Sequence, residues 1–163
     1  MTDSSAEFET WYRGAHPRLG AALTAAFGDS DLAQEVADEA VARAFQKWRR
    51  VSAMESPTGW LFVVGFNLAR RQLRRRGIEE RLLRRERVEH HGPPAGEVWS
   101  VVADLPARQR QAVVLRHVGQ LRESEIGEAM GITRGTVSAT LRAAYRSLRL
   151  EVVESPDTQE VVL

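Results

Sequence analysis

The stretch "EIGEAMGITRGTVSATLRAAYRSLR", Glu125 to Arg149, decides the fold of half of this chain. Ile126, Ala129 and Met130 fall on one face of a short helix, and Val137, Leu141, Ala144 and Leu148 on one face of a longer one. Gly131 between them supplies a tight turn, because glycine alone enters left-handed backbone space without cost. Ile132 plugs the turn, and Thr133 is a good cap for the second helix. The outer face of that helix carries Arg134, Gly135, Ser138 and Arg142, one or two turns apart, so they reach a single groove together. Arginine grips guanine through two bonds, worth about 1–3 kcal/mol of discrimination. Gly135 lets backbone approach closely, and the helix N-terminus favours phosphate. The pattern predicts a helix-turn-helix that binds DNA. Its bland counterpart is a structural hairpin of helices with charges facing solvent.

Elsewhere, almost every periodic segment has a helical period. Phe8, Trp11, Tyr12, Leu19, Leu23 and Ala26 recur at steps of three and four, with Gly28 as a stop. After "GDSD", Val36, Ala40, Ala44 and Trp48 make one stripe with Ala37, Val41 and Phe45 beside it; acids sit early and bases late, as the helix dipole favours. Ser56 followed by Pro57 is a start signal for a helix through Trp60, Leu61, Val64 and Leu68 into "ARRQLRRR". Gly77 marks a hinge, and "GPPAG", Gly92 to Gly96, a clear break. Extended, residues 77–96 span roughly 65 Å, close to two turns of B-DNA at ~34–36 Å each. Beyond lie a short helix around Val98, Val101 and Val102, another from Pro106 to about Val118, and the helix-turn-helix. No alternating strand pattern appears. The expected fold is all-α: two small helical domains, residues 1–76 and 97–150, joined by a linker, 77–96, and followed by an acidic, frayed tail, 151–163.

The 163 residues carry a formal net charge of +1, which hides an asymmetry. Up to Trp48 acids predominate, whereas from Arg70 to Arg87 a run of arginines faces only Glu79, Glu80 and Glu86. Such a chain suits two kinds of partner, although any one charge run is more often a solvated face. With no cysteine, disulfides, thiolate metal sites and cysteine nucleophiles are excluded. His16, His90, His91 and His117 form no ligand constellation, so no metal and no cofactor is expected. The longest apolar run, Trp60 to Phe66, falls far short of the ~20 residues of a membrane span. The acidic N-terminus lacks an apolar signal core, so a cytoplasmic protein without membrane insertion is expected.

Three segments, in order, resemble the extracytoplasmic-function sigma factors of bacterial RNA polymerase. "LPARQRQAVVLRHVGQL" with "ESEIGEAMGITRGTVSATLRAAYRSLR" resembles their C-terminal domain, which recognises the minus-thirty-five element. "AQEVADEAVARAF", Ala33 to Phe45, is similar to the helix that docks on the polymerase large subunit, and "SPTGWLFVVGFNLARRQLRRR", Ser56 to Arg76, to the segment that melts and reads the minus-ten element. The resemblance implies core RNA polymerase and promoter DNA as partners and no chemistry of the chain's own. An inhibitory anti-sigma partner is common in the family. It implies Thr133, Arg134, Gly135, Thr136, Ser138 and Arg142 as minus-thirty-five contacts. Trp60, Phe62, Phe66, Asn67, Arg70, Arg71 and Arg74 become the minus-ten set, since holding a strand open takes aromatic stacking and arginine on phosphate. Glu35, Asp38, Glu39 and Arg43 become polymerase contacts. For the aromatics core packing is the competing role, and for the acids the helix dipole.

The chain departs from the family where Phe66 stands for an arginine and Arg71 for an aspartate. Ser138, Thr140 and Ala143 occupy places often basic, and Arg122 a place where serine often caps. Fewer phosphate contacts imply weaker, less salt-sensitive binding. A serine recombinase, which also ends in a helix-turn-helix, needs an α/β catalytic half that this pattern lacks. The competing reading is a stand-alone regulator binding a palindromic operator as a dimer.

Overall fold

The computed structural model describes residues 2–80, 97–148, 151–154 and 159–162. The expected break at Gly92–Gly96 and the pair His90–His91 lie outside them.

Helix α1 (Thr2–Phe27) ends where Gly28 takes a left-handed φ of 69°, at the position the sequence marks as a stop. Helix α2 (Ser30–Gln46) follows, capped by Asp29, whose side chain accepts the Leu32 amide at 2.8 Å. The single turn α3 (Trp48–Val51) leads to α4 (Pro57–Glu80), whose start is fixed by Ser56 Oγ accepting the Gly59 amide at 3.0 Å. Helix α4 runs through Gly77, where the sequence suggests a hinge: the intrahelical bonds outweigh the roughly 1 kcal/mol propensity cost of one glycine. The second group comprises α5 (Glu97–Ala103), α6 (Ala107–His117), α7 (Glu123–Met130) and α8 (Arg134–Leu148).

After α8 the tail forms a small antiparallel pair, β1 (Glu151–Glu154) with β2 (Gln159–Val162), Val152 opposite Val161. The sequence reading treats this acidic segment as frayed. Four-residue strands are too short for alternation to stand out against composition.

The stripe Val36, Ala40 and Ala44 is fully buried, and Trp48 and Val41 nearly so, as the helical period requires. Phe45 is the exception at 60% exposed, its ring edge-on to Phe8 at 5.0 Å. Both helix groups contribute to one continuous apolar cluster. Helix α4 packs on α7, and α1 on α6. Their junction is laced by arginines reaching main-chain carbonyls. Arg18 Nε donates to Val118 O at 2.8 Å, Arg110 Nε to Ala26 O at 3.0 Å, and Arg70 Nη1 to Met130 O at 2.5 Å. The two helix groups, which the sequence suggests could stand apart, rest directly on one another.

Candidate nucleic-acid and polymerase interfaces

The helix-turn-helix is assembled from α6, α7 and α8. Ile126 and Ala129 are fully buried against Val137, Leu141 and Ala144, so the two clean faces of the sequence become an inside and an outside. Gly131 ends α7 with φ 68° and ψ 35°, and its amide returns to Gly127 O. Gly127, which sequence reasoning passed over, is equally constrained. A Cβ there would stand 2.8 Å from the Ile132 carbonyl, so the turn leaves no room for a side chain. The signal for it was its position one turn before Gly131.

Thr133 Oγ1 accepts the Thr136 amide at 3.2 Å, capping α8 as its side chain predicts. Arg122 cannot cap α7, because guanidinium is a donor only. Half of the capping arrangement survives: Glu125 Oε2 accepts the Arg122 amide at 2.8 Å, while the Arg122 side chain reaches Glu55 of the first group at 2.7 Å.

The predicted reading residues are brought together. Thr133, Arg134, Gly135, Thr136 and Arg142 are exposed along one side of α8, and Ser138 is half-buried with its hydroxyl donating to Glu123 at 2.7 Å. Behind α8, His117 Nε2 lies 3.0 Å from the Tyr145 hydroxyl. Partial desolvation of the ring against Tyr145 lowers the His117 pKa, with Arg116 adding to the effect, and burial pushes Tyr145 up to about 12. The fold therefore favours neutral His117, whereas the unfolded chain protonates it near pH 6.5. Stability is expected to decline as pH falls below about 6.5 and to level off once pH passes the folded value. Thermal melts from about pH 8 to about pH 5 check this, and His117→Gln should flatten the dependence.

The minus-ten set divides. Phe62 and Phe66 are both 0% exposed, Phe66 5.4 Å from the Phe27 ring and Phe62 beneath the Arg18 guanidinium at 5.8 Å. A ring with no exposed face has nothing to stack on a base, so the expectation for these two is corrected to core packing. Trp60 and Asn67 are half-buried; Arg71 and Arg74 are exposed. Arg70 is engaged, bonding Met130 O and Asn67 Oδ1, and desolvation followed by the like charges of Arg74 and Arg71 lowers its pKa.

The acidic residues of α2 lie together as expected, and the structure adds what faces them. Glu35, Asp38, Glu39 and Arg43 line one wall of a groove whose other wall is Leu68, Arg71, Gln72 and Arg75 of α4. Asp38 accepts from His16 Nε2 at 2.7 Å, a bond that lowers its pKa. Glu39 pairs with Arg43 at 2.8 Å, and Glu35 with Arg76 at 3.6 Å. The basic wall was legible as Arg71 and Arg75, four residues apart, but not which helix it would face.

Residues 95–148 match the family described as Sigma-70, region 4, over the segment that holds the helix-turn-helix. The chain is 30% identical to the RNA polymerase sigma-E factor of Streptomyces antibioticus, covering 74% of this chain and 70% of that protein. It belongs to the extracytoplasmic-function sigma factors of RNA polymerase. The RNA polymerase sigma-E factor of Streptomyces coelicolor is 29% identical over 90% of this sigma factor and 86% of its own length. The sigma factor RpoE of Bartonella quintana, solved in complex with the anti-sigma factor NepR, shares the fold with a TM-score of 0.69 at 18% identity, covering 88% of this chain and 94% of that one. The two helical groups form a fold shared with that solved sigma factor, and the chain is a sigma factor that directs promoter-specific initiation by core RNA polymerase. Among the described residues no helix is long and apolar enough to cross a membrane.

Proposed function

We propose that this sigma factor divides its labour between two domains. Residues 1–76 hold core RNA polymerase and help open the minus-ten region, and residues 97–150 anchor the minus-thirty-five element. Residues 77–96 serve as linker, and 151–163 lie outside both. The observation that carries the second assignment is the exposed row Arg134, Gly135 and Thr136 at the capped N-terminus of α8, with Arg142 two turns on. For the first domain, the exposed acids of α2 suit a basic surface of the polymerase. Trp60, Asn67, Arg70, Arg71 and Arg74 supply stacking and charge for an unpaired strand. The chain contributes no catalysis, which belongs to the polymerase, and it works in the cytoplasm. The Bartonella neighbour was captured with an anti-sigma factor, and an inhibitory protein is the partner expected to restrain this chain as well.

Two substitutions separate the halves. Arg134→Ala is expected to weaken promoter binding by about 1–3 kcal/mol while leaving assembly with core polymerase intact. Glu39→Lys is expected to do the reverse, impairing assembly and sparing the upstream contact. Both are read by native gel assembly with core polymerase and by footprinting of the resulting holoenzyme. If the two variants lost the same step, the division would be wrong. Run-off transcription on fragmented genomic DNA should yield new start sites that share two unlike, spaced upstream elements; a footprint over a palindrome without transcription would sink the reading.

A further inference from the structure

The groups that decide what α8 reads are not all on α8. Glu123, the first residue of α7, has a side chain only 16% exposed. Its Oε2 accepts the Ser138 hydroxyl at 2.7 Å and stands 3.5 Å from Arg134 Nε, while the Arg134 side chain is 78% exposed. One sheltered carboxylate oxygen therefore engages two residues of the outward row at once.

The chemistry of each contact is asymmetric. A guanidinium has five N–H donors, and one paired with a carboxylate on its Nε side keeps its two terminal nitrogens for a second acceptor, the geometry of a bidentate grip. Arginine also loses rotamer freedom on binding, so a side chain already drawn toward Glu123 makes a specific contact less costly to form. A serine hydroxyl has one donor and two acceptor lone pairs. With the donor on Glu123, Ser138 meets the groove as an acceptor, which suits the amino edges of adenine and cytosine and not the carbonyl edges of guanine and thymine. The same carboxylate is a negative charge close to the reading face, which works against phosphate in general.

We infer that Glu123 is a positioning residue for promoter recognition, fixing the fork of Arg134 and the acceptor role of Ser138 while lowering the chain's attraction for DNA of any sequence. The inference rests on α8 being the DNA-reading helix. It makes selectivity and raw affinity move in opposite directions, which a residue that only supports the fold would not do.

The test uses holoenzyme assembled from core RNA polymerase and full-length chain, wild type or variant. Start sites are mapped on fragmented genomic DNA and the upstream elements aligned; binding to a promoter-free duplex is measured across a salt series. Glu123→Gln is expected to reduce discrimination at the bases facing Arg134 and Ser138 by about tenfold. The same variant should bind the promoter-free duplex more tightly and with a steeper salt slope. Its thermal melt should stay near that of the wild type; should it instead unfold early, Glu123→Asp decides, since it keeps the charge but draws the carboxylate back. The aspartate variant should relax the element without tightening non-specific binding. A Glu123→Gln holoenzyme with an unchanged element and unchanged salt slope would overturn the inference. Arg134→Ala, run in parallel, tells the two failures apart. If it too leaves the element unchanged, the assignment of α8 to DNA is what has failed.

Discussion

Phe66→Ala lowers the unfolding free energy by about 3–5 kcal/mol, the usual loss for a buried aromatic cut back to a methyl. At about 2–4 °C per kcal/mol for a chain of this size, the melting temperature should fall by on the order of 10 °C. The ring is 0% exposed and sits 5.4 Å from Phe27 and 6.5 Å from Phe62, at the place where α4 meets the end of α1. Phe66→Leu retains most of the volume and apolar character, and should recover most of that stability. Promoter opening by the leucine variant, measured with permanganate on holoenzyme well below its melting temperature, should match the wild type. A base-stacking ring predicts the opposite pair of results. The alanine variant would then melt normally, and both variants would open the promoter poorly.

Why the sequence suggests one role for Phe66 and the structure another has a specific physical cause. Along α4, Leu61, Phe62, Phe66, Leu68 and Ala69 are buried on several sides at once, because α1, α2 and α7 all pack against this helix. Helical periodicity reports a single apolar stripe well, and α8 shows it: Val137, Leu141 and Ala144 inside, Arg134 and Arg142 outside, as their spacing requires. A helix covered by distant partners has no clean polar face, so its extra aromatics resemble an exposed binding patch. The caps at Ser56 and Thr133 were readable for the complementary reason. Asp29, Ser56 and Thr133 each satisfy an amide three residues ahead, an interaction wholly contained in local sequence. The junction between the helix groups was not readable, since Arg18, Arg70 and Arg110 are received by carbonyl oxygens that every residue possesses. Nothing in the arginine run distinguishes Arg70, held at the junction, from Arg71, which faces out.

Arg70→Ala should therefore loosen the junction as well as remove a charge. Its guanidinium donates to the carbonyl of Met130, the last residue of α7, and bonds Asn67 on its own helix. A cation at a helix C-terminus gains from the dipole, and a hydrogen bond from a charged donor is worth about 1.5–3 kcal/mol. Lysine should not restore the contact, because a point charge on a flexible stem does not match two acceptors held by a planar fork. The absence of cysteine allows a clean measurement: spin labels on Glu7→Cys and Ser147→Cys, both at exposed sites on opposite helix groups, report the separation of the groups. The expected result is one narrow distance distribution for the parent chain, and a broader one shifted to longer distances for Arg70→Ala and Arg70→Lys. An arginine bonded to Met130 is not on a phosphate, so contact across the junction and the proposed minus-ten role of Arg70 exclude each other. Adding core polymerase and promoter DNA to the parent chain should then broaden its distribution in the same direction as the substitution does. A distribution that stays narrow in the transcribing complex would mean that Arg70 holds the two groups together throughout initiation and touches no DNA.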